Sequence, residues 1–178
     1  MTSKNRRTVF TLTYWAMYGG VWLLSVIPIR IGQSIGRILG YVLAWALKGR
    51  VVSSLNNLRY VYGSTMSEAE LLALNGRIIA HFAQMLFEAP HILGLKPGNL
   101  GRYVVFENED ALTRAAARGR GVFMLTAHFG NWEFMSAATA LGLHAKNAVV
   151  VRPADFAPAD RLLTTLRSRF GTEIIPKH

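Results

Sequence analysis

The chain begins with a long apolar stretch that carries no charge. Thr8–Ile29 is a run of 22 uncharged residues, and about 20 such residues cross a bilayer as a helix. Its tryptophan and tyrosine side chains favour the headgroup level of a membrane. A signal peptide is disfavoured because no small-residue cleavage site follows the run. A buried core helix is an alternative, although the run has no polar face. The run therefore predicts a helix that spans or lies on a membrane, and similar basic residues on its two sides leave its orientation open.

Two further helices are predicted directly after this run. Ile31–Leu47 is apolar and rich in small residues, which favours an interfacial or packed helix over a second span. Val51–Tyr62 continues as a short helix before a glycine. We expect residues 1–62 to form a membrane-associated helical region and residues 63–178 to belong to a second domain.

The next helix carries a clear start signal. Ser67 and Glu70 have the spacing of a capping box, in which each side chain satisfies a free N–H of the other residue. Apolar residues then recur at three- and four-residue steps as far as Leu86, which predicts one apolar stripe. Pro90 ends this helix, and Pro97–Gly98 predicts a loop.

The pattern changes in the second half, where short apolar runs alternate with amphipathic segments. Such runs are typical of strands that are buried on both faces. The alternation predicts an α/β fold with a mainly parallel sheet and flanking helices. In chain order the predicted elements are a strand at Tyr103–Phe106, a helix at Glu109–Arg118, a strand at Val122–Thr126, a helix at about Asn131–Leu141, a strand at Ala148–Val151, a helix at Pro158–Phe170 and a strand starting at Ile174–Ile175.

Composition narrows the class of protein. The 178 residues suggest one domain, or one domain with an appendage. Hydrophobic residues make up 51% and charged residues 17% of the chain, so it is neither disordered nor simply a basic nucleic-acid-binding arm. No cysteine is present, which excludes a disulfide scaffold, a thiol nucleophile and zinc sites built on thiolates. The net charge is +10, and no acidic residue precedes Glu68, so the basic excess accompanies the apolar first third.

The most informative segment is Thr126–Glu133, between a predicted strand and the next helix. Ligands of such sheets bind beyond the carboxyl ends of the strands. With a turn at Gly130 and Asn131 as the helix cap, the Glu133 carboxylate can reach the His128 imidazole. A carboxylate on one ring nitrogen leaves the other nitrogen free to take a proton. His128 is therefore a candidate general base, and a structural histidine is the equally weighted alternative.

Other catalytic patterns are absent from the sequence. No Gly-x-Ser-x-Gly elbow occurs, which argues against the usual serine hydrolase arrangement. No His-Glu-x-x-His string occurs, and Gly119–Arg120–Gly121 lacks the Gly-Lys-Ser/Thr ending of a phosphate loop. The remaining histidines form no recognisable metal-ligand set, so we expect no metal: they are His81, His91, His144 and His178.

A histidine separated by four residues from an acid, here His128 and Glu133, resembles the signature of the lysophospholipid acyltransferase superfamily. The longer string is similar to its lipid A biosynthesis branch, the Kdo2-lipid A lauroyl/myristoyl acyltransferases. The similarity extends over most of the chain, and the extended string is more specific than the bare spacing. Its segments are Gly119–Val122, His128–Glu133, Val151–Arg152–Pro153, Asp160–Leu163, Arg167, Phe170–Gly171 and Ile175–Pro176.

This resemblance implies a reaction and assigns residues to it. A fatty acyl chain would move from acyl carrier protein, or less often coenzyme A, to a hydroxyl of a lipid A precursor, with no further cofactor. His128 would match the general base and Glu133 the acid that orients it. Arg152 would match a residue that binds anionic substrate groups, with a solvated strand-end arginine as the alternative. Asn131 is a second candidate for substrate binding, although its position also suits shaping the turn.

The resemblance further implies a location and partners. We expect a cell inner membrane protein with its catalytic part on the cytoplasmic side, and no nucleic-acid partner. The alternatives are an acyltransferase for another lipid, such as a phosphatidylinositol mannoside or lysophospholipid, or an inactive membrane-binding fragment. Relatives carry further blocks beyond the last strand, so we expect an N-terminal piece of an incomplete acyltransferase fold.

Overall fold

The computed structural model describes residues 3–46, 48–143 and 146–177. Within these residues the chain is mostly helical, with one two-stranded parallel sheet. Its internal contacts divide it into two units, Met1–Leu93 and Gly94–His178. The elements are α1 (Ser3–Val26), α2 (Ile29–Ala46), α3 (Lys48–Tyr62), α4 (Glu68–Glu88), α5 (Glu109–Ala116), α6 (Trp132–Gly142), β1 (Ala148–Val151), α7 (Ala157–Arg167) and β2 (Glu173–Pro176), with 3₁₀ helices at Ala89–Gly94, Pro97–Arg102 and Ser168–Phe170.

The apolar N-terminal run forms a helix, as predicted. Helix α1 ends at Val26 because Pro28 disfavours the helical conformation of the residue before it. Arg7–Val26 is the only helix among the described residues that is long and apolar enough to cross a membrane. Its 20 residues correspond to about 30 Å of helix, the thickness of a bilayer's hydrocarbon core.

Helices α2 and α4 pack closely through a row of glycines. Gly32, Gly36 and Gly40 recur every four residues on α2 and are buried. A Cβ atom added at Gly40 would lie 2.4 Å from the Ala80 Cα of α4, which is closer than atoms can approach. The backbones therefore meet directly at this position. The prediction of a packed second helix is confirmed up to Ala46, and Leu47 lies outside the described residues.

The start of α4 has the capping box that the sequence predicts. The Ser67 hydroxyl accepts a hydrogen bond from the Glu70 N–H, and the Ser67 N–H donates to the Glu70 carboxylate at 2.7 Å. Hydrogen bonds from the Ser67 backbone and then its hydroxyl lower the pKa of Glu70 below its ordinary value of 4.5. Helix α4 ends at Glu88, before Pro90.

The second unit contains the sheet. Strands β1 and β2 are parallel, with Val149 opposite Ile174, and α7 connects them. This is the strand–helix–strand unit that the alternating pattern predicts. Helix α6 buries Phe134, and α7 buries Leu162 and Leu166.

Two of the predicted strands are wrong. Val122–Thr126 has no regular secondary structure, and the Phe123 and Leu125 side chains are almost fully exposed. An apolar run becomes a strand only where a neighbouring strand accepts its backbone hydrogen bonds, and β1 pairs with β2 instead. Tyr103–Phe106 is also not a strand, because the Tyr103 and Val104 N–H groups donate to the Leu100 carbonyl.

Two other predictions concern a loop and a domain boundary. The predicted loop at Pro97–Gly98 is the start of a 3₁₀ helix. The sequence predicts that a membrane-associated region ends at residue 62. The internal contacts of the chain do not report membrane association, so this boundary stays a prediction.

Candidate active site

A turn ahead of α6 carries His128 and Asn131 and leads directly to Glu133. Gly130 has a φ of 58°, a left-handed conformation that glycine adopts at little cost. Asn131 follows as the N-cap of α6, and its Oδ1 accepts a hydrogen bond of 3.1 Å from the Phe134 N–H. The predicted turn and cap are confirmed. They place His128 in the loop and Glu133 in the first turn of α6.

The His128 side chain is exposed and packs against the first residue of α6. Its ring lies edge-on to the Trp132 indole, with 4.7 Å between the ring centroids and 69° between the planes. Trp132 therefore supports one side of the imidazole while the ring stays open to solvent and to a ligand.

The Glu133 carboxylate is held by an arginine from α7. Arg167 donates from Nε to Oε2 at 2.8 Å and from Nη2 to Oε1 at 2.5 Å. Both side chains are largely buried, with 17% of Arg167 and 14% of Glu133 exposed. The hydrogen bond with Glu133 raises the pKa of Arg167, against the opposing effect of burial. Within the described residues Glu133 makes no hydrogen bond to His128, so the direct contact that the sequence suggested is not formed.

Three of the four candidate residues, His128, Glu133 and Arg152, line one cavity of about 380 Å³. Its walls come from the loop before α6, the first turns of α6, strand β1 and the end of α7. His128, Glu133, Arg152 and Arg167 all line it, beside apolar groups such as Met135. Because Arg152 directly follows β1, the cavity lies at the carboxyl end of that strand, where ligands of parallel sheets bind.

The two arginines of the cavity differ in how firmly they are engaged. Arg167 is fixed on Glu133, whereas Arg152 makes only a long contact of 3.4 Å with Asp155. The side chains of Arg152 and Asp155 are 79% and 92% exposed, and such surface pairs contribute little energy. Arg152 can therefore turn toward an anion. Asn131 does not line the cavity formed by the described residues and serves as the helix cap.

Sequence reasoning gave Arg167 no role. Three arginines, Arg161, Arg167 and Arg169, lie on or just after α7, and Arg167 is the least exposed of them. Arg167 is part of the string that resembles the lipid A branch, but its spacing does not distinguish it from the other two arginines.

A metal site is not found in the part of the chain that the structure describes. No group of three or more histidine, aspartate or glutamate side chains converges there. His144 and His178 lie outside the described residues.

The cavity combines a group that can transfer a proton with a cation that can bind an anionic group of a substrate. An exposed imidazole stands at a partly apolar cavity with an available guanidinium, which fits an α/β enzyme that activates a hydroxyl group. The sequence profile described as bacterial lipid A biosynthesis acyltransferase matches residues 1–178. The chain therefore belongs to this acyltransferase family. Comparisons with curated proteins and with solved structures gave no significant match.

Proposed function

We propose that this protein moves a fatty acyl chain from an acyl carrier protein thioester to a hydroxyl of a lipid A precursor, with His128 as the general base. The exposed His128 imidazole at the cavity carries this proposal. The imidazole takes the proton of the hydroxyl as its oxygen attacks the thioester carbonyl. The carbon–sulfur bond then breaks, and the imidazolium returns the proton to the leaving thiolate. The acyl ester and the free carrier thiol are the products.

Two further residues are proposed to serve this reaction. Glu133 lines the same cavity as His128, and its carboxylate is proposed to help orient the segment that carries the catalytic imidazole. Arg152, at the end of β1, is proposed to bind anionic groups of the acceptor because its exposed contact with Asp155 is easily exchanged. Asn131 is proposed to support the site by holding the turn rather than by touching the substrate.

We place the protein at the cell inner membrane with the cavity on the cytoplasmic side. Helix α1 supports the membrane assignment because its apolar residues are exposed in the described structure: only 6% of Arg7–Val26 is buried. The side follows from the proposed donor, because acyl carrier protein is soluble and must reach the cavity from the cytoplasm. The acidic donor also suits a chain with a net charge of +10.

The proposed reaction is tested with purified protein in detergent and a radiolabelled acyl chain. The label is offered on acyl carrier protein or on coenzyme A, with a lipid A precursor, a lysophospholipid or a phosphatidylinositol mannoside as the acceptor. We expect the fastest transfer from acyl carrier protein to the lipid A precursor. Preferred transfer to another acceptor would overturn the substrate assignment. Absence of transfer in every combination would overturn the proposed activity of this chain.

A further inference from the structure

Helix α2 has one buried face and one exposed apolar face. The buried face is the row of glycines that contacts α4. The exposed face carries large side chains at alternating steps of four and three residues, which places them in one stripe along the helix: Ile31, Ile35, Ile38, Val42 and Trp45. Their exposed fractions lie between 37% and 76%. Soluble proteins rarely expose a continuous apolar surface of this kind unless it contacts a partner or a membrane.

We propose that this apolar stripe rests on an anionic lipid surface, with α2 parallel to the membrane at the level of the headgroups. The connection to α1 is only two residues long, Ile27–Pro28. Helix α1 has the length of a membrane span and leaves its apolar side chains exposed, and it ends at Val26. Helix α2 therefore begins where the chain leaves the hydrocarbon core. Such a contact is a second attachment to the membrane and is independent of acyl transfer.

The charged residues of α2 complement an anionic surface. Arg30 and Arg37 are both exposed, and they lie seven residues apart, which places them along one edge of the stripe. Arg37 also donates to the Gln84 side chain of α4 at 3.2 Å. Arginine side chains at the edge of an apolar face reach lipid phosphates while the face contacts the acyl chains. Trp45, near the other end of the helix, is of a type that favours the headgroup level.

The same charges disfavour the two other ways of covering the stripe. A second span would place Arg37, near the middle of α2, in the hydrocarbon core, where a charge is costly. A second copy of the chain is the other candidate, because steps of four and three residues also suit paired helices. Helix α2 contains arginines and no acidic residue, so two copies would bring only like charges together. Anionic lipids supply the complementary charge.

The first experiment measures what the stripe contacts. The chain has no cysteine, so a single introduced cysteine can carry a nitroxide label. Ile38→Cys and Val42→Cys place the label on the stripe, and His81→Cys places it at an exposed position of α4. Each full-length variant is reconstituted into vesicles of phosphatidylethanolamine and phosphatidylglycerol. Electron paramagnetic resonance compares label collisions with oxygen, which concentrates among acyl chains, and with a water-soluble nickel complex. We expect oxygen collisions to dominate at both stripe positions and nickel collisions to dominate at the α4 position.

The second experiment tests the contribution of lipid charge. In vesicles of neutral phosphatidylcholine, the excess of oxygen over nickel collisions at the Ile38→Cys label should fall. Adding Arg30→Gln and Arg37→Gln to this labelled variant should lower the excess in anionic vesicles to the value found in neutral ones. Arg77→Gln, at an exposed position of α4, is the matched control and should keep the full excess in anionic vesicles.

Three results would overturn the proposal. Dominant nickel collisions at both stripe positions would mean that the stripe faces water. Dipolar broadening that disappears on dilution with unlabelled protein would mean that a second copy covers the stripe. Equal collision ratios in anionic and neutral vesicles would remove the anionic lipid as its occupant. Loss of acyl transfer in any of these variants would bear on the proposed function alone, because the collision ratios do not depend on turnover.

Discussion

Replacing Gly40 by alanine tests the close packing of α2 on α4. The added Cβ would lie 2.4 Å from the Ala80 Cα, 2.9 Å from the Ala83 Cβ and 3.1 Å from the Ala80 nitrogen. Carbon atoms pack at about 3.5–4.0 Å, and the closest of these atoms belongs to the backbone, which cannot rotate away. The two helices must therefore separate by roughly 1 Å at their closest contact.

The expected cost combines two opposing terms. Overpacking of this kind costs about 1–3 kcal/mol, and contact with the backbone places Gly40 at the upper end. Alanine returns up to about 1 kcal/mol through its higher helix propensity. We therefore expect Gly40→Ala to destabilise the protein by about 2 kcal/mol.

Gly76→Ala is the matched control, on the α4 side of the same helix pair. Its added Cβ would meet the Tyr41 ring at 3.6 Å, an ordinary van der Waals distance. Only the propensity gain applies, so this variant should be more stable by up to about 1 kcal/mol. Loss of the helical circular dichroism signal on heating or in denaturant, measured in detergent, gives both values. If Gly40→Ala were as stable as Gly76→Ala, the described backbone contact would be wrong.

Three further predictions concern the capping box, the acceptor site and the membrane helix. The pKa of Glu70 is lower in the folded chain than its ordinary value of 4.5. The ionised carboxylate therefore stabilises the fold at pH values above 4.5, and this contribution is lost as the pH falls through the lower pKa of the folded state. Glu70→Gln should therefore lower stability at neutral pH and match the wild type in strong acid; equal curves at every pH would contradict this. Arg152→Ala should raise KM for a phosphorylated acceptor while exposed Arg114→Ala does not, and equal KM values would remove Arg152 from the binding site. Leu12→Lys puts a charge into the apolar helix, which disfavours its insertion into a bilayer, and should shift protein to the soluble fraction, whereas exposed Tyr60→Lys should not; unchanged partitioning would place the anchor elsewhere.

Local sequence signals predicted the elements whose formation depends on neighbours in sequence. The Ser67–Glu70 capping box spans four residues, and β1, α7 and β2 each follow a local pattern of their own; these elements are confirmed. Val122–Thr126 is as apolar as β1. A strand, however, also needs a neighbouring strand for its backbone hydrogen bonds, and the apolar pattern does not specify one. The sequence therefore predicted a strand at Val122–Thr126 that is absent from the described structure.

The site shows the same division between local and distant information. Gly130 and Asn131 shape the turn through conformations that their side chains favour locally, so the sequence predicted them. The partner of Glu133 is Arg167, 34 residues away. Arg161 and Arg169 lie close to Arg167 in the sequence and carry the same charge. Only the packing of α7 beside α6 selects Arg167, and no local spacing encodes that choice.

The most direct test of the account is the rate of acyl transfer by His128→Ala. Single-turnover transfer from acyl carrier protein to the lipid A precursor should fall by about 10²–10⁴-fold, with unfolding and membrane attachment unchanged. Exposed His81 on α4 gives the control, and His81→Ala should keep the wild-type rate. A folded His128→Ala protein that transfers acyl chains as fast as His81→Ala would contradict the assignment of His128 as the general base.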